Sequence, residues 1–575
     1  MTSQALSALR AARDQLVHLR KDFQRAASEF TWPVVGEMFN WGIDWFDEIA
    51  RGNGRPALII VNEDGTRTTR TFTEMAQRSD QVGRWLAGLG IGSGDSVLLM
   101  LGNQVELWET MLALIKIGAI ILPTTTAMGP SDLSDRIERG SVGFVVAAGE
   151  DAAKFDHVPG DYVGIQVKGF RSDWARYEEA FATPTESLPH PGTTPEQPLL
   201  RYFTSGTTNK PKLVEHSHVS YPVGHLSTMY WLGLRPGDVH LAISSPGWAK
   251  HAWSCFFAPW IAEATVFAYN YARFDAGDLL GVMRTEKVTS FCAPPTVWRM
   301  LIQADLSAGP GAIREVVSAG EPLNPEVINQ VRQHWGLTIR DGYGQTEMTA
   351  VIANPPGLPV ADGSMGWSLP GCPVVLVDPI TGEGADEGEI CIDLRNRPIN
   401  LMTGYVADPE RNAESQAGGY FHTGDIATRD ATGRFTFVGR VDDVFKASDY
   451  KISPFELESV LIAHPAVVEA AVVPAPDPVR LAVPKAYVVL AAGYKPTAET
   501  AEAILLFARE SLAPFQRVRR IEFSELPKTI SGKIRRVELR EREVRIAEGV
   551  EQCEEYRDDE FRDPATGSVS TVRKR

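Results

Sequence analysis

The stretch Tyr202–Lys212, YFTSGTTNKPK, places four aliphatic hydroxyls, one glycine and two lysines directly behind the apolar run LLRYF. So many small donors beside two positive charges suit a phosphate chain, and the same composition suits a solvated surface loop. LLRYF reads as a strand, and EHSHVSYPVGHLSTMYW (215–231) reads as a helix. In such a strand–loop–helix, Ser205, Gly206, Thr207 and Thr208 would offer hydroxyl and backbone N–H donors to one anion. The G-x-x-x-x-G-K-[ST] order of a Walker A loop is absent.

The chain around this stretch has 575 residues, enough for two or more domains and a large core. Its 43% apolar and 23% charged residues are those of an ordinary globular protein. A net charge of −16 disfavours a nucleic-acid or anionic-membrane partner, both of which need a basic footprint. Five cysteines (Cys255, Cys292, Cys372, Cys391 and Cys553) show no C-x-x-C spacing and read as reduced packing residues. The N-terminus lacks an apolar signal core, and the longest apolar run, MLALIKIGAIIL (111–122), is short and broken by Lys116. These features predict a cytoplasmic protein without a membrane span.

Short apolar runs at 96–101, 119–123, 143–149 and 265–269 read as buried strands, and 72–90 reads as a helix ending on glycine. The alternation predicts an α/β protein with largely parallel sheets. A Pro/Thr-rich segment (183–198) separates the first third from the middle. Past residue 440 the texture changes to SPFELESVLIAHP (453–465, helix), VVEAAVVPAP (467–476, strand), KAYVVLAAG (485–493, strand) and a helix from Ala501. The expected division is a helical extension over 1–33, a large domain over 34–440, a small one over 441–548 and a loose charged tail over 549–575.

Two further stretches supply nucleotide chemistry. SAGEPLNPE (318–326) and DGYGQTEMT (341–349) combine glycine turns with Tyr343, able to stack on a purine, and Asp341, able to accept from an exocyclic amine. Thr346 could bind phosphate, and Glu347 offers hard oxygens suited to Mg²⁺. YFHTGDIA (420–427) then presents Asp425, a carboxylate for two ribose hydroxyls, and GRVDDVFKASDYKISPFELE (439–458) and LPKTISGKIRRVELR (526–540) follow.

In this order and spacing the five motifs resemble the adenylate-forming superfamily of acyl-CoA synthetases, peptide-synthetase adenylation domains and luciferases. The resemblance runs from about Val34 to Arg540 and is closest to the medium-chain acyl-CoA synthetase branch. It implies a large N-terminal domain of α/β subdomains with a small β-barrel-like part, and a small mobile α+β C-terminal domain. It also implies a two-step reaction: ATP and a carboxylate give an acyl-adenylate and pyrophosphate, then a thiol displaces AMP. ATP, Mg²⁺ and CoA are the implied cofactor, metal and co-substrate.

By the same resemblance Lys533, Thr204 and Glu347 are the catalytic candidates, with Glu347 holding the metal. Ser205, Gly206, Thr207, Thr208, Lys212 and Thr346 face the phosphates. Gly320, Glu321, Pro322, Tyr343 and Asp341 frame the adenine, Gly342 and Gln345 also bind the nucleotide, and Asp425 and Arg440 hold the ribose. Asp442 falls at the family's hinge. Trp248, Lys250, His251 and Trp253 would line the acyl pocket. Gly344 stands where acetyl-specific relatives carry tryptophan, implying space for a bulkier acid. Two departures, Asp449 for glycine and Leu481 for glycine, lie with Tyr450 where the family admits the pantetheine thiol. They leave open an alternative in which the enzyme stops at the adenylate and hands it to a carrier protein, an amine or a thiolating partner.

Overall fold

The structure is a computed structural model and describes residues 4–204, 211–321, 323, 325–447, 450–477, 481–529 and 533–561, with the side chains of Tyr450, Lys451 and Leu481 outside that description. The chain forms two compact units: Met1–Val375 with Cys391–His422 and Arg429–Thr436, and Leu376–Ile390 with Thr423–Thr428 and Phe437–Arg575.

In the large unit the strands Arg340–Tyr343, Glu315–Ala319, Ser290–Ala293, Val239–Ala242, Thr265–Asn270 and Pro56–Asn62 lie side by side in that order, every pair parallel. Parallel strands are covered on both faces, so they read as unbroken apolar runs; Ser290–Ala293 is buried at every position. The crossover helices Ala276–Thr285, Pro295–Leu301 and Pro325–Trp335 close a core around Phe267, Leu279, Phe291, Trp298 and Trp335. Trp298 satisfies its indole N–H on the Val317 carbonyl at 3.2 Å.

A second sheet runs Gly404–Tyr405, Lys212–Ser217, Pro198–Thr204, Ile120–Pro123, Ser96–Met100, Val142–Ala148, Val163–Val167, Ala175–Arg176. Its core gathers Leu98, Met100, Leu122, Val145 and Trp174. The helix expected over 72–90 spans Phe72–Gly88 and opens on a reciprocal capping box between Thr71 and Glu74. Lys116 is fully buried, 2.7 Å from Asp47 and 2.8 Å from Asp80. Among the described residues no helix is long and apolar enough to cross a membrane.

One expectation fails here. The Ser/Thr-rich stretch is not followed by a helix: Pro198–Thr204 turns back antiparallel on Lys212–Ser217, pairing Thr204 with Lys212. The helix begins only at His225. The polar residues that disguise the second strand are satisfied across the fold, Glu215 by Arg201 at 2.8 Å and His216 by the Thr346 carbonyl at 2.8 Å.

The small unit is α+β. Its sheet runs Val467–Asp477, Leu481–Leu490, Arg520–Phe523, Tyr556–Arg557, with helices Pro454–Ile462, Ala498–Ser511 and Arg536–Ala547. Apolar packing joins Leu457, Leu461, Val472, Ile504 and Ile521. The segment 549–561, expected to be loose, belongs to this fold. Tyr556 pairs with Ile521 and packs at 5.7 Å from Phe523.

Glu555 explains why so charged a stretch is held. The ammonium of fully buried Lys485 lies 2.9 Å from Glu522, 2.8 Å from Glu543 and 3.1 Å from Glu555. Burial works against that charge, but hydrogen bonds to Glu543 and Glu522 outweigh it and the lysine pKa rises. Lys485→Met leaves three carboxylates facing one another, relieved only in part by Arg520, Arg542 and Arg557. Stability should fall by about 3–5 kcal/mol, the usual effect of deleting one partner of a buried pair. Urea unfolding checks this; an unchanged midpoint would show that the lysine is dispensable.

Candidate functional site

The two residues that flank the Ser/Thr-rich segment are fixed by the hairpin. Thr204 ends one strand, Lys212 opens the next, and Arg139 donates to the Pro211 carbonyl at 2.7 Å. Arg136 and Arg139 also stack on Phe203 at 4.9 and 5.2 Å. Ser205, Gly206, Thr207 and Thr208 lie outside the described residues, as does Pro322.

The nucleotide motifs leave neighbouring strands at the same end. Ala319 pairs with Gly342 and Ser318 with Asp341, so the Gly320 turn and Tyr343 emerge side by side. Gly320 has φ +106°, which favours glycine. Gly342 must lack a side chain because a Cβ there would stand 2.4 Å from the Trp231 ring. Asp341 is buried and accepts backbone hydrogen bonds from Gly342, at 3.0 Å, and from Leu323. Burial pushes its carboxyl up to about 8 despite those bonds and nearby Lys250. Lys250 donates to the Ala319 carbonyl at 2.8 Å. Glu321 stands near Thr296 and Arg299, at 3.5 and 4.0 Å.

Beyond Tyr343 and Gln345 the chain is pinned at two carbonyls. His216 donates from Nε2 to Thr346, and the Met402 amide donates to Glu347, both at 2.8 Å. Burial lowers the His216 pKa to about 4, so the ring is neutral and Nδ1 accepts from Ser220 at 3.1 Å. The Glu347 side chain, 9% exposed, takes the Tyr405 hydroxyl on Oε1 at 2.9 Å. Lys212 Nζ is 3.9 Å from the same oxygen. Among the described residues Oε2 accepts no hydrogen bond.

The acyl-pocket expectation needs correcting at Gly344. The space beside Gly344 is filled: a Cβ there would meet the Thr349 carbonyl oxygen at 2.4 Å and the Trp253 ring at 2.5 Å. Trp253 is locked in place by donating to the Tyr221 hydroxyl at 2.6 Å. His251 bonds to Asn103 at 3.2 Å and lies 5.7 Å from Trp108, buried and neutral with its pKa lowered to about 3. Trp248 is half-buried and packs against the core of the second sheet.

The remaining candidates are in the small unit. Asp425 and Arg440 pair at 3.1 Å, and a Cβ on neighbouring Gly424, at φ +74°, would stand 2.9 Å from the Arg440 guanidinium. Asp442 is exposed, while its neighbour Asp443 is bound by Arg540 and lies 3.9 Å from Arg536. Lys533 is exposed near the end of a short ladder, where its amide donates to the Thr529 hydroxyl at 3.1 Å and Thr529 donates back at 2.8 Å. Asp449 lies outside the described residues, as do the side chains of Tyr450 and Leu481. Tyr405 and His216 were not legible as site residues: each is far in sequence from the motif it braces, and nothing in its spacing marks it.

The AMP-binding enzyme family matches residues 46–406, and the AMP-binding enzyme C-terminal domain matches residues 456–533. A 4-hydroxybutyrate–CoA ligase of Metallosphaera sedula is 42% identical over 528 residues, 89% of this chain and 92% of that one. The human mitochondrial acyl-coenzyme A synthetase ACSM3 is 35% identical over 530 residues, 88% and 90% of the two chains. Among solved structures, a Brucella canis acyl-CoA synthetase is 34% identical with TM-score 0.70, covering 93% of this chain and 99% of its own. The anthranilate CoA ligase AuaEII, in complex with anthranoyl-AMP, is 27% identical with TM-score 0.80, covering 91% and 99%. The chain therefore belongs to the AMP-binding enzymes of the adenylate-forming superfamily, beside the medium-chain acyl-CoA synthetases, and activates an acid as its adenylate.

Proposed function

We propose that the enzyme activates a carboxylic acid larger than acetate and transfers the acyl group to CoA. The observation that carries this reading is the convergence of Gly320, Asp341, Tyr343 and Glu347 at adjacent strand ends, with Lys212 reaching Glu347 from the hairpin. The names of its relatives, ligases and synthetases of CoA thioesters with acids larger than acetate among them, support the acceptor and the acid size.

The first step joins two anions: a carboxylate oxygen attacks the α-phosphate and pyrophosphate leaves. In the second, a thiol sulfur attacks the acyl carbon and AMP leaves. Asp341 receives the adenine amino group, and protonation leaves its carbonyl oxygen able to accept. Asp425 holds the ribose hydroxyls, oriented by Arg440. Thr204, Lys212 and the hydroxyls between them hold the phosphates. Lys533 brings positive charge to the carboxylate and the α-phosphate as charge develops. Oε2 of Glu347, which accepts no hydrogen bond among the described residues, fits a hard cation, and Mg²⁺ bound there would supply further charge neutralisation.

Lys533→Ala should lower pyrophosphate release by about 10²-fold or more while ATP still binds, because the lysine acts on the transition state. Near-normal release would remove it from the mechanism.

Pyrophosphate release and thioester formation across a panel of acids, with and without CoA, test the function directly; adenylate without thioester would favour another acceptor. In the same panel Trp253→Ala should move the preference toward bulkier acids, since each further buried methylene contributes about 0.8 kcal/mol. An unchanged order of acids would mean that Trp253 does not bound the pocket.

Asp341 binds a proton in the folded state up to about pH 8, but near pH 4 when unfolded. Stability therefore declines between those values and levels off above the folded pKa. Asp341→Asn removes this slope, so its advantage in melting temperature should grow from pH 4 to about 8 and then stay constant. Parallel profiles for the two proteins would refute the raised pKa.

A further inference from the structure

Tyr405 is placed by Gly404–Tyr405, a two-residue edge strand on Lys212–Ser217 that pairs Tyr405 with Val214. Its ring lies 5.2 Å below the Lys212 ammonium, whose Nζ is 3.5 Å from the hydroxyl. That hydroxyl has one proton, and it is given to Glu347 Oε1 at 2.9 Å. A carboxylate with one oxygen bound in this way has its plane and direction fixed, and the second oxygen is presented alone. The backbone on either side leaves little freedom, since the Thr346 and Glu347 carbonyls are held by His216 and Met402. The side-chain torsions are then the remaining freedom, and the phenol removes it.

We infer that Tyr405 is a positioning residue that commits Glu347 Oε1 and so makes Glu347 a one-oxygen ligand, through Oε2, for the divalent cation that accompanies ATP. The inference rests on the reading of Glu347 as that ligand. Residues that orient a metal ligand from behind typically alter metal affinity 10- to 100-fold when removed. Lys212 contributes a second attraction on the same oxygen at 3.9 Å, which turns the carboxylate the same way.

Tyr405→Phe retains the ring against Lys212 and deletes only the hydroxyl. Wild type, Tyr405→Phe and Glu347→Gln are titrated with α,β-methylene ATP, whose α–β linkage cannot be cleaved, with and without Mn²⁺. Calorimetry reads the nucleotide Kd, and electron paramagnetic resonance reads enzyme-bound Mn²⁺. Tyr405→Phe should bind metal-free nucleotide within about twofold of wild type, yet lose about tenfold in nucleotide and Mn²⁺ affinity when both are present. Equal losses with and without metal would make Tyr405 merely structural and overturn the inference, as would no loss at all. If Glu347→Gln alone abolishes the metal's contribution while Tyr405→Phe keeps it, the ligand stands and the role of Tyr405 falls. If Glu347→Gln keeps it, the ligand assignment itself fails.

Discussion

Parallel register is the constraint from which the site follows. Val239–Ala242, Ser290–Ala293, Glu315–Ala319 and Arg340–Tyr343 are paired so that all their carboxyl ends reach one edge. Ligands of open α/β sheets bind outside such ends. A slip of one residue would reverse the facing of Asp341 and Gly342. It would also drive a side chain into the Trp231 ring, which only Gly342 can accept. The indole behind the strand therefore protects the register that aims the nucleotide residues.

Buried charge is the second organising feature. Lys116 with Asp47 and Asp80, Arg340 with Glu315, and Lys485 with its three glutamates each sit where a lone ion would be intolerable. Each ties together segments distant in sequence. Arg340 also donates to the carbonyls of Asn354, at 3.0 Å, and Leu232, at 3.4 Å, so the strand that ends in Tyr343 is anchored from three directions. Apolar packing alone is tolerant of small displacements; ion pairs with fixed hydrogen-bond geometry are less so.

The sequence revealed those elements whose side chains answer to their local surroundings. Strands such as Ser96–Met100 and Thr265–Asn270 are covered on both faces and stand out as apolar runs. The capping box at Thr71 is likewise local. Lys212–Ser217 was hidden because Glu215 is satisfied by Arg201 on the paired strand and His216 by Thr346, far along the chain. The nucleotide motifs were legible as motifs, but the occupancy of the space beside Gly344 depends on Trp253, ninety-one residues earlier. Tyr405 was equally invisible, since its partner is fifty-eight residues away. Glu555 and Tyr556 passed for a solvated tail because a buried lysine at 485 cannot be told from an exposed one by composition.

The same lysine bears on how the chain is made. Seventy residues separate Lys485 from Glu555. At about 5–20 residues per second, the ribosome takes roughly 4–14 s to cross that interval. Throughout it the central strand of the small unit exists without its full set of counter-charges, and the edge strand Tyr556–Arg557 has not been synthesised. A lysine in that condition favours water over the protein interior. The small unit therefore settles only after its last strand emerges, and its strands Val467–Asp477 and Leu481–Leu490 wait until then for the charges that close their sheet.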